Sequence, residues 1–252
     1  IVGEQLLRRK LTTMRFVLIP LRSVTASYRN PEFQNFHKSF PLPPPTTLIG
    51  LAGAALGLSP KAAQDFFDET PFRAGVCGTS AGMTTDLWKY DTFGGRSIIK
   101  RELYFQNRLW VVFGSENEAA VEQIQAAFRL PRYALTLSAS DSLVCVESTR
   151  IRLTDEVQTR TSAANALAEG DLVQHVLDQA IATGGSFSLN LSTADPVAYP
   201  LPVRFQYESD YGIRRVVKRK VFSFIGPKLQ FDGLTLEGVT AEDGTFIPLF
   251  DL

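Results

Sequence analysis

The run Phe36-His37-Lys38-Ser39-Phe40-Pro41-Leu42-Pro43-Pro44-Pro45-Thr46-Thr47, continuing as apolar sequence to Leu58, constrains this chain more than any other stretch. Prolines fix φ and lack N–H donors, so residues 41–45 are expected to form a stiff extended arm. Thr46 or Thr47 fits the N-cap of the helix that follows, its side-chain oxygen accepting from a first-turn amide. The amides left over at such an end suit a phosphate, although an ordinary capped helix end binds only water. The apolar segment is too short to span a bilayer core of ~30 Å. Gly50, Gly53 or Ala54, and Gly57 supply small residues that let a helix sit close on a sheet. The pattern predicts a buried helix over 47–58.

The 252 residues suffice for one large domain or two small ones. A 44% hydrophobic and 21% charged composition is that of ordinary globular proteins. Twenty-six basic residues balance 26 acidic ones, whereas many nucleic-acid-binding domains are strongly basic. The charges are partly segregated: cations cluster at 96–101 and 214–220, acids at 65–69, 86–91 and 116–122. Cys77 and Cys145 are too few and too far apart for a disulfide framework or a metal motif. No metal or cofactor is expected. No signal peptide or membrane-length apolar run is visible, so a cytoplasmic, membrane-free location is expected. Residues 1–13 precede the first methionine, Met14, and are read as an N-terminal extension to which no function is assigned.

Residues 14–25 read as a buried strand and 26–40 as a polar loop leading to the proline arm. Ser59-Pro60 resembles an N-cap with proline at the next position, opening a second helix to about Glu69. Strands are expected at 71–79 and 98–114, separated by a Gly- and Thr-rich excursion at 80–97. An amphipathic helix follows at 116–130 and a strand at 143–153. This order, β-α-β-β-α-β, predicts an α+β, ferredoxin-like unit related to RNA-recognition modules. It occupies 14–155, with a long thumb hairpin at about 80–100. A β-rich C-terminal part, 156–252, is expected to contain a helix near 171–183 and strands at 186–192, 201–208, 214–225 and 229–237.

The excursion carries Trp88, Lys89, Tyr90, Phe93, Arg96, Lys100 and Arg101. Aromatics interleaved with cations suit a single nucleic-acid strand, because rings stack on bases while charges follow phosphates. An ordinary hairpin whose rings cover a core edge is the competing reading. The run 214–224 is strand-like and basic on both faces at its start. It is therefore expected to project beyond the core, as a solvated edge guarded by cations or as a contact for RNA or another subunit. His37 and His175 are the two histidines. His37, beside Lys38 and near Tyr28, is the one plausible set for acid–base chemistry. His175 lies in a helical apolar pattern and reads as structural. Walker loops, dinucleotide fingerprints and hydrolase elbows are missing.

The proline–helix run, from Lys38 to Leu58, resembles the signature of the CRISPR-associated family-five proteins, subunits that cap one end of type I Cascade complexes. Two shorter matches follow in order. Arg101-Glu102-Leu103 through Val111 is similar to the family's R-E-x-L segment. Pro131-Arg132-Tyr133 through Asp141 is similar to its P-x-Y-x-L-x-L-G-x-S-D segment, with Ser138 in place of the glycine. The first match points to the type I-B branch. The resemblance implies a non-catalytic subunit that holds the repeat-derived 5′ handle of the crRNA. Its partners would be the backbone subunit and the large PAM-reading subunit, with target DNA nearby. It further implies that Ser27, Tyr28, Arg29, His37, Lys38, Thr46 and Thr47 grip handle phosphates. Arg96, Lys100 and Arg101 would flank the RNA from the thumb, and Tyr133, Ser138 and Ser140 would line the opposite wall. The alternatives are a metal-independent endoribonuclease that processes precursor crRNA, as one branch of the family does, and a scaffold with negligible RNA affinity.

Overall fold

The first strand, β1 (Arg15–Ala26), is apolar from Phe16 to Leu21 because that part is buried on both faces. Val17, Ile19 and Leu21 enter one core, and Phe16 and Leu18 enter another on the opposite side of the sheet. The structure, a computed structural model, describes residues 14–33, 35–92, 95–137, 139–183, 197–227, 229–230 and 234–252.

After β1 come three short strands, β2 (Tyr28–Arg29), β3 (Phe36–His37) and β4 (Ser39–Phe40). Helices α1 (Pro45–Leu56) and α2 (Pro60–Glu69) lead to β5 (Arg73–Thr79), β6 (Gly82–Thr92) and the 21-residue β7 (Gly95–Ser115). Helix α3 (Glu118–Arg129) precedes β8 (Val144–Val146) and β9 (Arg152–Thr154). The remainder comprises β10 (Gln158–Arg160), β11 (Ser162–Ala163), β12 (Ala166–Glu169) and α4 (Leu172–Thr183). It ends with β13 (Val197–Tyr207), β14 (Arg214–Ile225), β15 (Leu229–Gln230), β16 (Leu236–Thr240), β17 (Phe246–Pro248) and β18 (Phe250–Asp251).

The central strands run β8-β1-β7-β5, each antiparallel to its neighbour. That is the order of a β-α-β-β-α-β unit, whose crossovers interleave. Helices α1, α2 and α3 pack on one face, burying Leu48, Leu51, Phe67, Val121, Ile124 and Phe128. The same sheet continues past β5 into β12, β14 and β13, and Leu167, Phe222 and Phe224 join the helix-side core. The C-terminal part thus shares both a sheet and a core with the first unit. Its other elements fold onto the opposite face, where Val239, Phe246 and Ile247 cover Phe16, Leu18, Trp110 and Val112. Among the described residues no helix is long and apolar enough to cross a membrane.

Local chemistry explains most boundaries. Ser59 Oγ accepts from the Ala62 N–H at 3.2 Å, and Pro60 occupies the first turn of α2. α1 ends at Gly57, whose φ of 79° lies in the left-handed region. The expected start at 47 is corrected. Pro44 is the N-cap, without a side-chain cap bond, and Pro45 is already helical. Proline's fixed φ is preorganised for that position and its missing N–H costs nothing there. Thr46 and Thr47 therefore lie inside the first turn and do not cap it. Thr47 and Leu48 both donate to the Pro44 carbonyl, at 2.9 and 3.2 Å, which leaves a donor-poor end.

The strand expected over 143–153 is two strands. β8 pairs with Leu21–Ser23 and β9 with Phe16–Leu18, separated by a 3-10 turn at Ser148–Arg150. The break falls beside Pro20, which has no N–H to extend the ladder. The stretch 229–237 forms β15 and the start of β16, and the strand expected at 186–192 lies outside the described residues.

Gly75 shows how closely the C-terminal segments press on the sheet. A Cβ there would sit 2.5 Å from the Pro248 carbonyl oxygen and 2.9 Å from Ile247 Cγ2. Gly75→Ala is expected to cost about 1–3 kcal/mol, since backbone cannot yield as a side chain does. Urea unfolding measures it.

Candidate nucleic-acid interface

β7 is a core strand along one half and a thumb along the other. One edge is taken first by β5 (Arg73↔Gly114 to Thr79↔Arg108) and then by β6 (Gly82↔Phe105 to Thr92↔Gly95). The other edge carries β1 and then, in parallel, β3, with Phe36 opposite Lys100 and His37 opposite Arg101. The β6–β7 hairpin thus rises from the sheet with a third strand buttressing its root.

Arg101 locks that root. Its side chain is 4% exposed, and it donates to Asp86 at 2.7 and 3.1 Å and to Asp141 at 2.7 and 3.3 Å. Its guanidinium carbon lies 5.1 Å from the centre of the Trp88 ring, and His37 meets that ring edge-on at 5.6 Å. Removing either carboxylate is costly because the buried Arg101 charge stays desolvated, whereas Asp86 and Asp141 are 36% and 55% exposed. Bonding to Asp86 foremost raises the Arg101 pKa, and the Arg101 hydrogen bond foremost lowers that of Asp141. Burial first, then Arg29 and Arg101, depresses His37 below its ordinary value of 6.5. The polar loop is strapped to the same root, with Ser39 N–H donating to Glu102 Oε2 at 2.9 Å and Tyr28 N–H to Ser39 Oγ at 2.8 Å.

The residues singled out from sequence fall in several places. Arg29, Lys38, Lys100 and Ser140 surround the thumb root, exposed except for half-buried Lys38, whose Nζ sits 5.1 Å over the Phe33 ring. Arg96 is exposed near the hairpin tip. Thr46 and Tyr133 line a separate groove of about 350 Å³ with Phe205, Tyr207, Tyr211 and Arg214, and Thr47 is half-buried beside it in sequence.

A further group, expected to contact phosphate directly, is buried in this chain. Ser27, Tyr28, His37 and Arg101 are 4, 2, 6 and 3% exposed. Ser27 donates its N–H to the Leu137 carbonyl at 3.4 Å. The Arg101 fork is filled by two carboxylates, and the His37 ring packs edge-on against Trp88. Tyr28 lies in the helix-side core, where its hydroxyl has no hydrogen-bond partner and burial pushes its pKa up. Tyr28, His37 and Lys38 therefore share no reactive face. Ser138 and Phe93 lie outside the described residues.

The two carboxylates that seat Arg101 escaped the sequence reading, although one signal was present. The register of β6 on β7 sets Asp86 directly opposite Arg101, and such cross-strand opposite charges attract. Asp141 comes from a loop, with no comparable signal.

Known proteins offer similarity of low degree. No family model matches the chain, and no curated protein matches it. Among solved structures, a "CRISPR RNA-guided surveillance complex" aligns at TM-score 0.45 and 14% identity, over 84% of this chain and 91% of that one. A CRISPR protein from Archaeoglobus fulgidus aligns at 0.44 and 13%, over 93% and 99%. A crystal structure of a Cas protein aligns at 0.35 and 20%, over 50% of this chain, which spans 57% of that one.

The buried groups have measurable consequences. Tyr28→Phe removes an unpartnered hydroxyl and is expected to raise stability by about 1 kcal/mol, measured by urea unfolding. Acid should loosen the thumb in two steps. His37 and Asp141 both have folded pKa values below their unfolded ones, so each contributes stability above its unfolded value and loses it as pH falls. The His37 step begins near 6.5 and the Asp141 step near 3.8. Hydrogen exchange of the 95–105 amides across pH reads both, with His37→Gln abolishing the first and Asp141→Asn the second.

Proposed function

We propose that this chain is a non-catalytic, RNA-binding subunit of a type I CRISPR effector, of the I-B branch. It holds the 5′ handle of the crRNA and caps the backbone, between the backbone subunit and the large PAM-reading subunit. The observation that carries this reading is the thumb: a two-stranded hairpin leaving a β-α-β-β-α-β sheet on a root locked by buried Arg101. Around that root stand the exposed cations Arg29, Lys89 and Lys100 with half-buried Lys38. A rigid hairpin with cations at its base suits the backbone of a single strand, as charges follow phosphates without reading sequence. The motif that introduces α1 supports the same reading through the family it resembles.

In this arrangement Arg29, Lys38, Lys100 and Ser140 meet handle phosphates, Arg96 reaches them from the tip, and Tyr133, Thr46 and Thr47 contact RNA further along. Ser27, Tyr28, His37 and Arg101 hold the strands that present these groups. Recognition of target DNA rests on base pairing by the guide, not on this chain.

The double charge reversal Arg29→Glu/Lys100→Glu should weaken handle binding, and the slope of log affinity against log salt should flatten by roughly 0.7 for every phosphate no longer neutralised. Unchanged affinity and slope would remove the thumb root from the site. Specific cleavage of repeat RNA by the purified protein in EDTA, lost in His37→Ala, would instead make the chain a nuclease.

A further inference from the structure

One half of the sheet face opposite the helices is bare. C-terminal segments cover it where Gly75, Trp110 and Val112 lie, against Pro248, Asp243 and Phe246. The next row toward the thumb crosses four strands as Thr79, Arg108, Arg22 and Cys145, each residue paired with the next in register. Directly opposed residues of an antiparallel pair share a face, with Cα atoms about 4.5–5.5 Å apart. The two arginines therefore stand side by side on the open surface. Like charges so placed repel, and apo folding gains nothing from them.

Their surroundings do not neutralise the pair. Arg22 Nε bonds Glu147, yet its side chain remains 55% exposed, and Glu147 is also bonded by Arg150. Arg108 is exposed, and among the described residues no carboxylate lies within ion-pairing distance of it. The two arginines and Thr79 line two adjoining cavities of about 640 and 860 Å³. Together these make one trough, into which Arg150 and Arg160 also open at one end and Ser80 and Gln106 at the other. Its two aromatic neighbours, Trp110 and Phe246, are each 7% exposed and already stacked by Arg150 and Arg160, so no ring is open to bases. The carboxylates Glu147 and Asp243 line that same end, away from Ser80 and Gln106.

We propose that the Arg22–Arg108 pair is a phosphate clamp, and that the trough holds the sugar–phosphate backbone of a single-stranded stretch of the bound RNA. The identity of the polyanion rests on the proposed function; the clamp itself rests on register and charge. Two guanidinium forks on neighbouring strands can converge on one phosphate, and each can donate bidentately. Contacts to the backbone position the strand and carry no sequence information.

The test uses the intact protein and two labelled single-stranded RNA 12-mers, one of handle sequence and one of uridines. Arg108→Gln and Arg22→Gln should each weaken both RNAs five- to tenfold and flatten the salt slope by roughly 0.7 for each phosphate left unclamped. Arg108→Lys should restore part of the affinity. The urea midpoint of Arg108→Gln should be unchanged or higher, because a like-charge pair has gone. Affinity and slope equal to the parent's in both Gln variants, while Arg29→Glu/Lys100→Glu weakens binding, would overturn the clamp and leave the thumb reading intact. Weaker binding in the Gln variants with none in the thumb variant would keep the clamp and overturn the thumb. A fall in the Arg108→Gln urea midpoint large enough to account for the weaker binding would also overturn the clamp, by making Arg108 a structural residue.

Discussion

Where β7 leaves the core, a single guanidinium sits between Asp86 of the neighbouring strand and Asp141 of a loop, and the rest of the architecture depends on it. A hairpin of two strands has marginal stability in water by itself. Here the hairpin is anchored through four hydrogen bonds at its root, a ring under the guanidinium and a third strand along its edge. Arg101 is desolvated while its two carboxylates stay partly exposed, so removing either carboxylate leaves a buried cation short of a partner. That converts a surface excursion into a fixed arm, and fixes the positions of Lys89 and Lys100 on it.

The sheet is the second organising element. Its helix face is closed by α1, α2 and α3, and C-terminal strands close half of the other face. RNA-recognition modules use the open face with exposed rings. In this chain the corresponding region is partly roofed, and the remaining part displays arginines. The thumb root and the bare trough thus both present charge on rigid strands. Sites built on strands hold their side chains more closely than sites on loops.

Net charge is a poor guide to such a molecule. Twenty-six cations and 26 anions cancel in sum, yet many pair with each other at the surface, as Arg15 with Glu118, Lys61 with Asp65 and Arg73 with Glu237. Exposed pairs of this kind contribute little to stability. The cations that matter for a polyanion are those left over, and at the thumb root and on the sheet face they are concentrated by register.

Much of the framework was written in short-range pattern. The two-sided apolar run of β1, the Ser59 cap of α2, the bounds of β14 and the presence of a hairpin near 80–100 each follow from neighbours a few residues apart, where sterics and local hydrogen bonds act. The start of α1 was missed by two residues because proline at the first helical position was outweighed by the capping preference of threonine. What only the tertiary structure decided is which polar residues are buried. Arg101 and His37 read as surface groups until long-range partners enclose them, Tyr28 as a reachable phenol until helices cover it. Arg22 and Arg108 become neighbours solely through strand pairing. A residue's solvation and electrostatic field are set by whatever the fold brings against it, and partners distant in sequence, such as Asp141 for Arg101, leave no local pattern.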